Sequence, residues 1–155
     1  MNGEPDKSME NSKSSTTFVG AKKVVLDKKI LIVEDDFPMA HILKLKLAEM
    51  GFHVDHAPDG EQAMDYIGKN PYDIILLDLR LPKKNGFEII REIRANPQWK
   101  HLKIFVLSNL GEKEDLDRAV ELGADGYFIK ADTNIHSLLK KITDFISGNT
   151  PEEKL

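Results

Sequence analysis

Five short apolar runs, each followed by a stretch whose apolar residues recur at helical spacing, predict an α/β protein with a parallel sheet between two helical layers. Two further observations support that class. The runs KILIV, IILL and KIFVL have almost no polar face, as strands buried on both sides do. Each run also ends at polar or charged residues, and in open parallel sheets that edge is where ligands and chemistry collect.

Taken in order, residues 1–27 are expected to be a disordered tail. Through about residue 19 they are rich in Ser, Thr, Lys, Glu and Asn, with almost nothing to bury. The Ser/Thr cluster at 12–17 is read as solvated leader rather than a modification site, and residues 23–26 leave a short strand or a turn open. Lys29–Val33 is the first strand and stops at Glu34, Asp35 and Asp36. Pro38 suits the first turn of a helix, in which Ala40, Leu43, Leu47 and Met50 share a face and Gly51 is a natural stop. Residues 52–57 form a more polar, edge-type second strand, and Asp59 with Gln62 opens a helix whose inner face is Ala63, Tyr66 and Ile67.

Ile74–Leu77 is the central strand; it stops at Asp78, and Pro82 forbids further ladder pairing. Asn85 and Glu88 stand three apart, as an N-cap and its N3 partner do, opening a helix over Gly86–Ala95 with Phe87, Ile90 and Ile93 inward. Residues 96–101 are a polar connection holding the single tryptophan, Trp99. Residues 103–107 are the fourth strand, ending at Ser108 and Asn109. After the loop LGEKED a helix runs through Leu122, with Leu116, Ala119 and Val120 on one face, and stops at Gly123. Gly126–Ile129 is the fifth strand, ending at Lys130. The last helix, over 134–147, places Ile135, Leu138, Leu139, Ile142 and Ile146 on one stripe, and residues 149–155 are read as frayed.

The chain of 155 residues is expected to form one domain, with no internal linker. Its net charge of −4 argues against a general nucleic-acid or anionic-membrane binder. With no cysteine there is neither disulfide, thiolate zinc site nor cysteine nucleophile, which fits a reducing cytosol. No apolar run approaches membrane-spanning length and the N-terminus lacks a signal-peptide core, so a cytoplasmic location is expected.

Four of the five strands end in groups that suit one site: Glu34, Asp35 and Asp36 after the first, Asp78 after the third, Ser108 after the fourth and Lys130 after the fifth. In the doubly wound, flavodoxin-like order 2-1-3-4-5, strands one and three are neighbours at the topological switch point. Three carboxylates gathered there repel one another, and a hard divalent cation such as Mg²⁺ removes the conflict. An ammonium and a hydroxyl are donors for phosphoryl oxygens. Together these groups point to phosphoryl transfer to an aspartate.

On these residues the segment 28–148 resembles a receiver domain of two-component response regulators, chemotaxis receivers included. The family's acidic pair falls on Glu34 and Asp35, with Asp35 the direct metal ligand. Its phosphoacceptor pattern, D-x-x-[M/L]-P-x-x-x-G, falls on Asp78, Leu81, Pro82 and Gly86. The resemblance implies a metal-binding backbone carbonyl at Arg80, a switch hydroxyl at Ser108, a switch aromatic at Tyr127 and the family's lysine at Lys130. Asp36 is expected to be solvent-exposed rather than a ligand. Tyr127 alone could be strand packing, Lys130 a surface charge and Ser108 a loop hydroxyl; their joint occurrence in order decides between the readings. The five histidines, His41, His53, His56, His101 and His136, show no metal spacing and are read as structural or surface residues.

Two positions depart from the family pattern. Ala131 stands where proline is usual, so a trans Lys130–Ala131 bond is expected, because cis costs a non-proline bond about 2.5–4 kcal/mol. Asn109 stands where a small residue is usual and narrows phosphoryl access. Arg80 and Leu110 occupy the positions past which water reaches the phosphorus, and neither acts as a base there, so slow self-dephosphorylation is expected.

The resemblance implies a phosphorylation-activated signalling switch. A histidine kinase or histidine phosphotransfer protein would donate to Asp78 with Mg²⁺ bound. Output would pass through the face formed by the fourth helix, fifth strand and fifth helix to a downstream protein. The expected state is a monomer or weak homodimer, without nucleic acid or membrane partners, and catalysis confined to the protein's own phosphorylation and dephosphorylation, so not an enzyme. The alternatives are a magnesium-dependent aspartyl-phosphate phosphohydrolase and a non-phosphorylated pseudo-receiver interaction module. The first expects D-x-D after its first strand, where this chain has Phe37-Pro38 after the acidic run, and the intact acidic set speaks against the second.

Overall fold

The computed structural model describes residues 16–19, 22–25, 27–109, 113–130 and 134–146. The expectations for Leu110, Ala131 and the C-terminal residues 149–155 lie outside the described residues.

Five strands form one parallel sheet: β3 (Lys29–Val33), β4 (His53–Ala57), β5 (Ile74–Leu77), β6 (Lys103–Ser108) and β7 (Gly126–Ile129), in the order β4-β3-β5-β6-β7. Counted from β3, this is the expected 2-1-3-4-5. The helices α1 (Phe37–Glu49), α2 (Gly60–Lys69), α3 (Gly86–Ala95), α4 (Lys113–Leu122) and α5 (Ile135–Ile146) connect the strands or follow the last of them. A short 3-10 turn at Pro97–Trp99 sits in the connection to β6.

Alternation along each strand divides the apolar residues between two faces. Leu31, Val33, Ile75, Leu77, Ile104 and Val106 pack under α2, α3 and α4 through Ala63, Ile67, Ile89, Ile90, Ile93 and Ala119. Ile30, Ile32, Ile74, Leu76, Phe105 and Leu107 face α1 and α5 through Ala40, Leu43, Leu47, Leu138, Leu139 and Ile142. Complete burial of a leucine or isoleucine side chain contributes roughly 1.5–3 kcal/mol, so a sheet covered on both faces is held mainly by this packing. Strand β4 lies at the edge, and its only fully buried residue is Ala57.

Helix ends follow local chemistry. Asp36 caps α1 by accepting from Met39 N, Asp59 caps α2 by accepting from Gln62 N, and Asn85 with Glu88 closes a full capping box on α3. Gly51 and Gly123 adopt φ of 101° and 122°, the left-handed conformation that suits glycine after a helix.

One expectation is corrected. Within the tail expected through residue 27, β1 (Thr16–Val19) and β2 (Lys22–Val25) pair antiparallel, from Thr16↔Val25 to Val19↔Lys22. The physical reason is local: TTFV and KKVV are rich in β-branched and aromatic residues, and only two residues separate them, the spacing of a hairpin. On α3 the structure adds Ile89 to the buried face, while Phe87 is half-buried with the Arg118 guanidinium 4.1 Å from its ring centre.

Candidate functional site

Strand register brings the predicted residues together. Val33 lies opposite Leu77 in the parallel pair β3–β5, so the next residues, Glu34 and Asp78, leave the sheet side by side. Backbone bonds extend both strands by one residue: Glu34 N donates to Ala57 O at 3.1 Å and Asp78 N to Val33 O at 3.0 Å. On the far side Ser108 pairs with Ile129, and Lys130 N donates to Ser108 O at 2.8 Å. That bond aims the Lys130 side chain back across the sheet edge.

Lys130 Nζ lies 2.6 Å from Glu34 Oε1 and 3.3 Å from Asp78 Oδ2. Glu34 is 2% exposed and Asp78 7%, so this ammonium and two carboxylates meet largely out of water. Burial pushes the Glu34 carboxyl up to about 7; the Lys130 ammonium opposes that rise and the Asp78 carboxylate adds to it. For Lys130, burial works against the charge, but Glu34 and Asp78 outweigh it and hold its pKa above the ordinary lysine value.

Asp35 is exposed beside them. One carboxylate oxygen from each of Glu34, Asp35 and Asp78 falls within a span of 4.8 Å. The donor set is hard, anionic and oxygen-only, and its three carboxylates outnumber the Lys130 ammonium, which leaves a shortage of positive charge. Both features fit Mg²⁺, which Asp35 and Asp78 would hold with Glu34 close by. Asp36 is exposed, as expected, and caps α1.

The loop after Asp78 is built from close backbone approaches. Arg80 N donates to Asp78 Oδ1 at 3.2 Å, orienting the carboxylate, while the Arg80 side chain is exposed. Gly86 N returns to Leu79 O at 2.9 Å, and a Cβ at Gly86 would meet Asp78 O and the Leu79 Cα at 2.7 Å, so only glycine fits there. Gly60, at the start of α2, touches the same loop from the other side, with its N–H 3.4 Å from Pro82 O. Lys83 is left-handed, with φ 71°, and its Nζ lies 3.8 Å from Asp59.

The remaining predicted residues lie on the two strands beyond β5. Ser108 is buried at the end of β6, and Tyr127 is half-buried on β7 opposite Val106. His56 was not singled out by the sequence, yet its Nε2 lies 2.7 Å from Glu34 O and its ring meets Phe37 edge-on at 5.3 Å. The contact joins residues 22 apart and depends on the β3–β4 register, so no local pattern announces it.

The response regulator receiver domain model matches residues 30–143. The chain belongs to the receiver domain family of response regulators. Among curated relatives, the receiver is 38% identical over 122 residues to a probable transcriptional regulatory protein, SilR, of Salmonella typhimurium, covering 79% of this chain and 53% of that one. Among solved structures it is similar to the receiver domain of the Francisella response regulator 1452, with a TM-score of 0.72 and 27% identity over 80% of this chain and all of that one. It is similar too to the chemotaxis response regulator CheY4 of Vibrio cholerae, with a TM-score of 0.70, 29% identity, and 74% and 95% of the two chains covered. The chain spans about half the length, or less, of the curated relatives it matches. Such receivers act in phosphorylation-based two-component signalling and generally bind Mg²⁺ at an acidic pocket; here Glu34, Asp35 and Asp78 form an acidic cluster.

Proposed function

We propose that the receiver, spanning 28–148, is a cytoplasmic switch turned on by phosphorylation of Asp78. The observation that carries the proposal is the convergence of Glu34, Asp35, Asp78 and Lys130 on one sheet edge. The donor is a phosphohistidine of a histidine kinase or phosphotransfer protein. An Asp78 carboxylate oxygen attacks phosphorus in line, the P–N bond breaks as the P–O bond forms, and the imidazole leaves and takes up a proton. Lys130 is already within reach of Asp78 and holds a phosphoryl oxygen as the new bond forms. Asp35, Asp78 and the Arg80 carbonyl, with Glu34 beside them, would hold Mg²⁺, which would supply positive charge against the spreading phosphoryl charge.

Ser108 then draws toward the phosphoryl group, and Tyr127 follows inward on the neighbouring strand. The face of α4, β7 and α5 changes, and a downstream protein reads it. The protein acts as a monomer or weak homodimer, its chemistry confined to its own acyl phosphate. Among the described residues no helix is long and apolar enough to cross a membrane. Phe37, Ile42 and Leu45, large apolar side chains 49–62% exposed, all lie on α1, the helix that starts directly after the acidic run Glu34–Asp36. That face suits contact with the protein that delivers the phosphohistidine.

Intact-mass measurement tests the proposal. Acetyl phosphate with Mg²⁺ adds the mass of one phosphoryl group to the wild type and nothing to Asp78→Asn. Equal gain by both overturns it. Catalytic hydrolysis of an added phosphate ester would instead favour the phosphohydrolase alternative.

A further inference from the structure

Asp35 is the exposed member of the acidic cluster, and among the described residues no hydrogen bond or ion pair holds its side chain. Its position therefore depends on the backbone it hangs from. The residues around it are tied from several directions. Glu34 N donates to Ala57 O at 3.1 Å, Asp36 N donates to Glu34 Oε2 at 3.1 Å, and Met39 N donates to Asp36 Oδ1 at 3.1 Å. The peptide group that joins Glu34 to Asp35 has one further tie, from outside the segment. Its carbonyl, Glu34 O, lies 2.7 Å from His56 Nε2.

A carbonyl oxygen only accepts, so His56 Nε2 carries the hydrogen and donates. The donor sits on β4, where His56 is registered against Ile32 and followed by Ala57, which takes the Glu34 amide. The edge strand thus holds the Glu34 residue by its N–H and by its C=O. At the same time the His56 ring packs edge-on against Phe37, the first residue of α1, at 5.3 Å. His56 therefore bridges the two ends of the four-residue acidic turn, Glu34 to Phe37.

We propose that His56 is a positioning residue for the cation site: by pinning the Glu34–Asp35 peptide and seating Phe37, it presents the Asp35 carboxylate toward Asp78. The inference rests on the metal reading above. It does not make His56 a ligand, since its Nε2 is committed to the carbonyl and the carboxylate cluster is complete without it. Outer partners that orient metal ligands are worth about 10–100-fold in affinity, and an indirect hold through the backbone belongs near the lower end of about 10-fold.

Mg²⁺ titration of the full chain, followed by amide NMR shifts without any phosphodonor, separates the donor from the ring. His56→Gln keeps an N–H donor and binds Mg²⁺ within about 2-fold of wild type, near the noise of outer-partner effects. His56→Phe keeps an aromatic ring against Phe37 but has no donor, and weakens Mg²⁺ about 10-fold. His56→Ala loses both and weakens it at least as much, and serves if the phenylalanine variant does not fold. Urea unfolding in EDTA reads stability apart from the metal. Wild-type Mg²⁺ affinity in both His56→Phe and His56→Ala overturns the inference, as does equal loss in His56→Gln and His56→Phe. If the wild type binds no Mg²⁺ and Asp35→Ala changes nothing, the metal reading itself has failed.

Discussion

Replacing Gly60 by alanine places a Cβ 2.0 Å from the carbonyl oxygen of Lys84 and 2.6 Å from the Lys84 Cβ. Neither obstacle is the end of a flexible side chain, so relief requires the α2 N-terminus and the 79–86 loop to part by roughly 1 Å. Overpacking of that kind costs about 1–3 kcal/mol. Alanine's better helix propensity returns up to about 1 kcal/mol, though less at the first turn, where Gly60 sits, leaving a net loss near 1–2 kcal/mol. Gly68 lies in the same helix but a Cβ there meets nothing within 4 Å. Gly68→Ala therefore gains stability, by up to about 1 kcal/mol. For a urea slope of about 2 kcal/mol/M, Gly60→Ala lowers the unfolding midpoint by roughly 0.5–1 M and Gly68→Ala raises it. The displaced loop begins at Asp78, so Gly60→Ala also slows phosphorylation by acetyl phosphate by about 10-fold, within the range that ångström-scale misplacement produces. If Gly60→Ala is as stable as Gly68→Ala, the close packing of the two loops does not govern this part of the protein.

Three other predictions rest on single features. Glu34 titrates near 4.5 when unfolded and near 7 when folded, so its favourable contribution is complete below the first value and lost as pH rises through the second. In EDTA the wild type should lose roughly 2 kcal/mol from this group between about pH 5 and pH 8, and Glu34→Gln should flatten the decline; a wild type equally stable at both would contradict the shift. Asp125 Oδ2 accepts from Ile104 N at 2.8 Å and from Arg94 Nη2 at 2.9 Å, so Asp125→Ala should cost roughly 1–3 kcal/mol in urea unfolding while leaving the Mg²⁺ affinity unchanged. Ile42→Asp with Leu45→Asp should slow phosphotransfer from a phosphohistidine protein at least about 10-fold yet leave acetyl phosphate reactivity intact, since neither side chain belongs to the acidic cluster; parallel loss from both donors would refute the assignment of that face.

The legible parts of this chain were those with local causes. Apolar runs without a polar face became β3, β5 and β6, and cap pairs three residues apart, Asp59 with Gln62 and Asn85 with Glu88, became helix starts. Asp78 and Lys130 could be placed at one edge because strand ends in a parallel sheet share an edge whatever the details of packing. The hairpin of β1 and β2 was legible only as the short strand left open at 23–26, because its strands are embedded in polar sequence. What sequence pattern does not carry is contact across register. The His56 bond to Glu34, the approach of Gly60 to Lys84, and the Arg94 guanidinium bound to Asp125 and Gly123 O join residues 22 to 31 apart. Each needs the relative height of two elements, which periodicity alone does not set.

Locating the phosphoryl group tests the central claim most directly. After incubation with acetyl phosphate and Mg²⁺, borohydride reduces an aspartyl phosphate to homoserine, and peptide mass mapping shows which residue changed. Conversion at residue 78 alone, absent when Mg²⁺ is replaced by EDTA, is the predicted result. Conversion at another carboxylate, or at none while the intact protein still gains phosphoryl mass, would contradict the account.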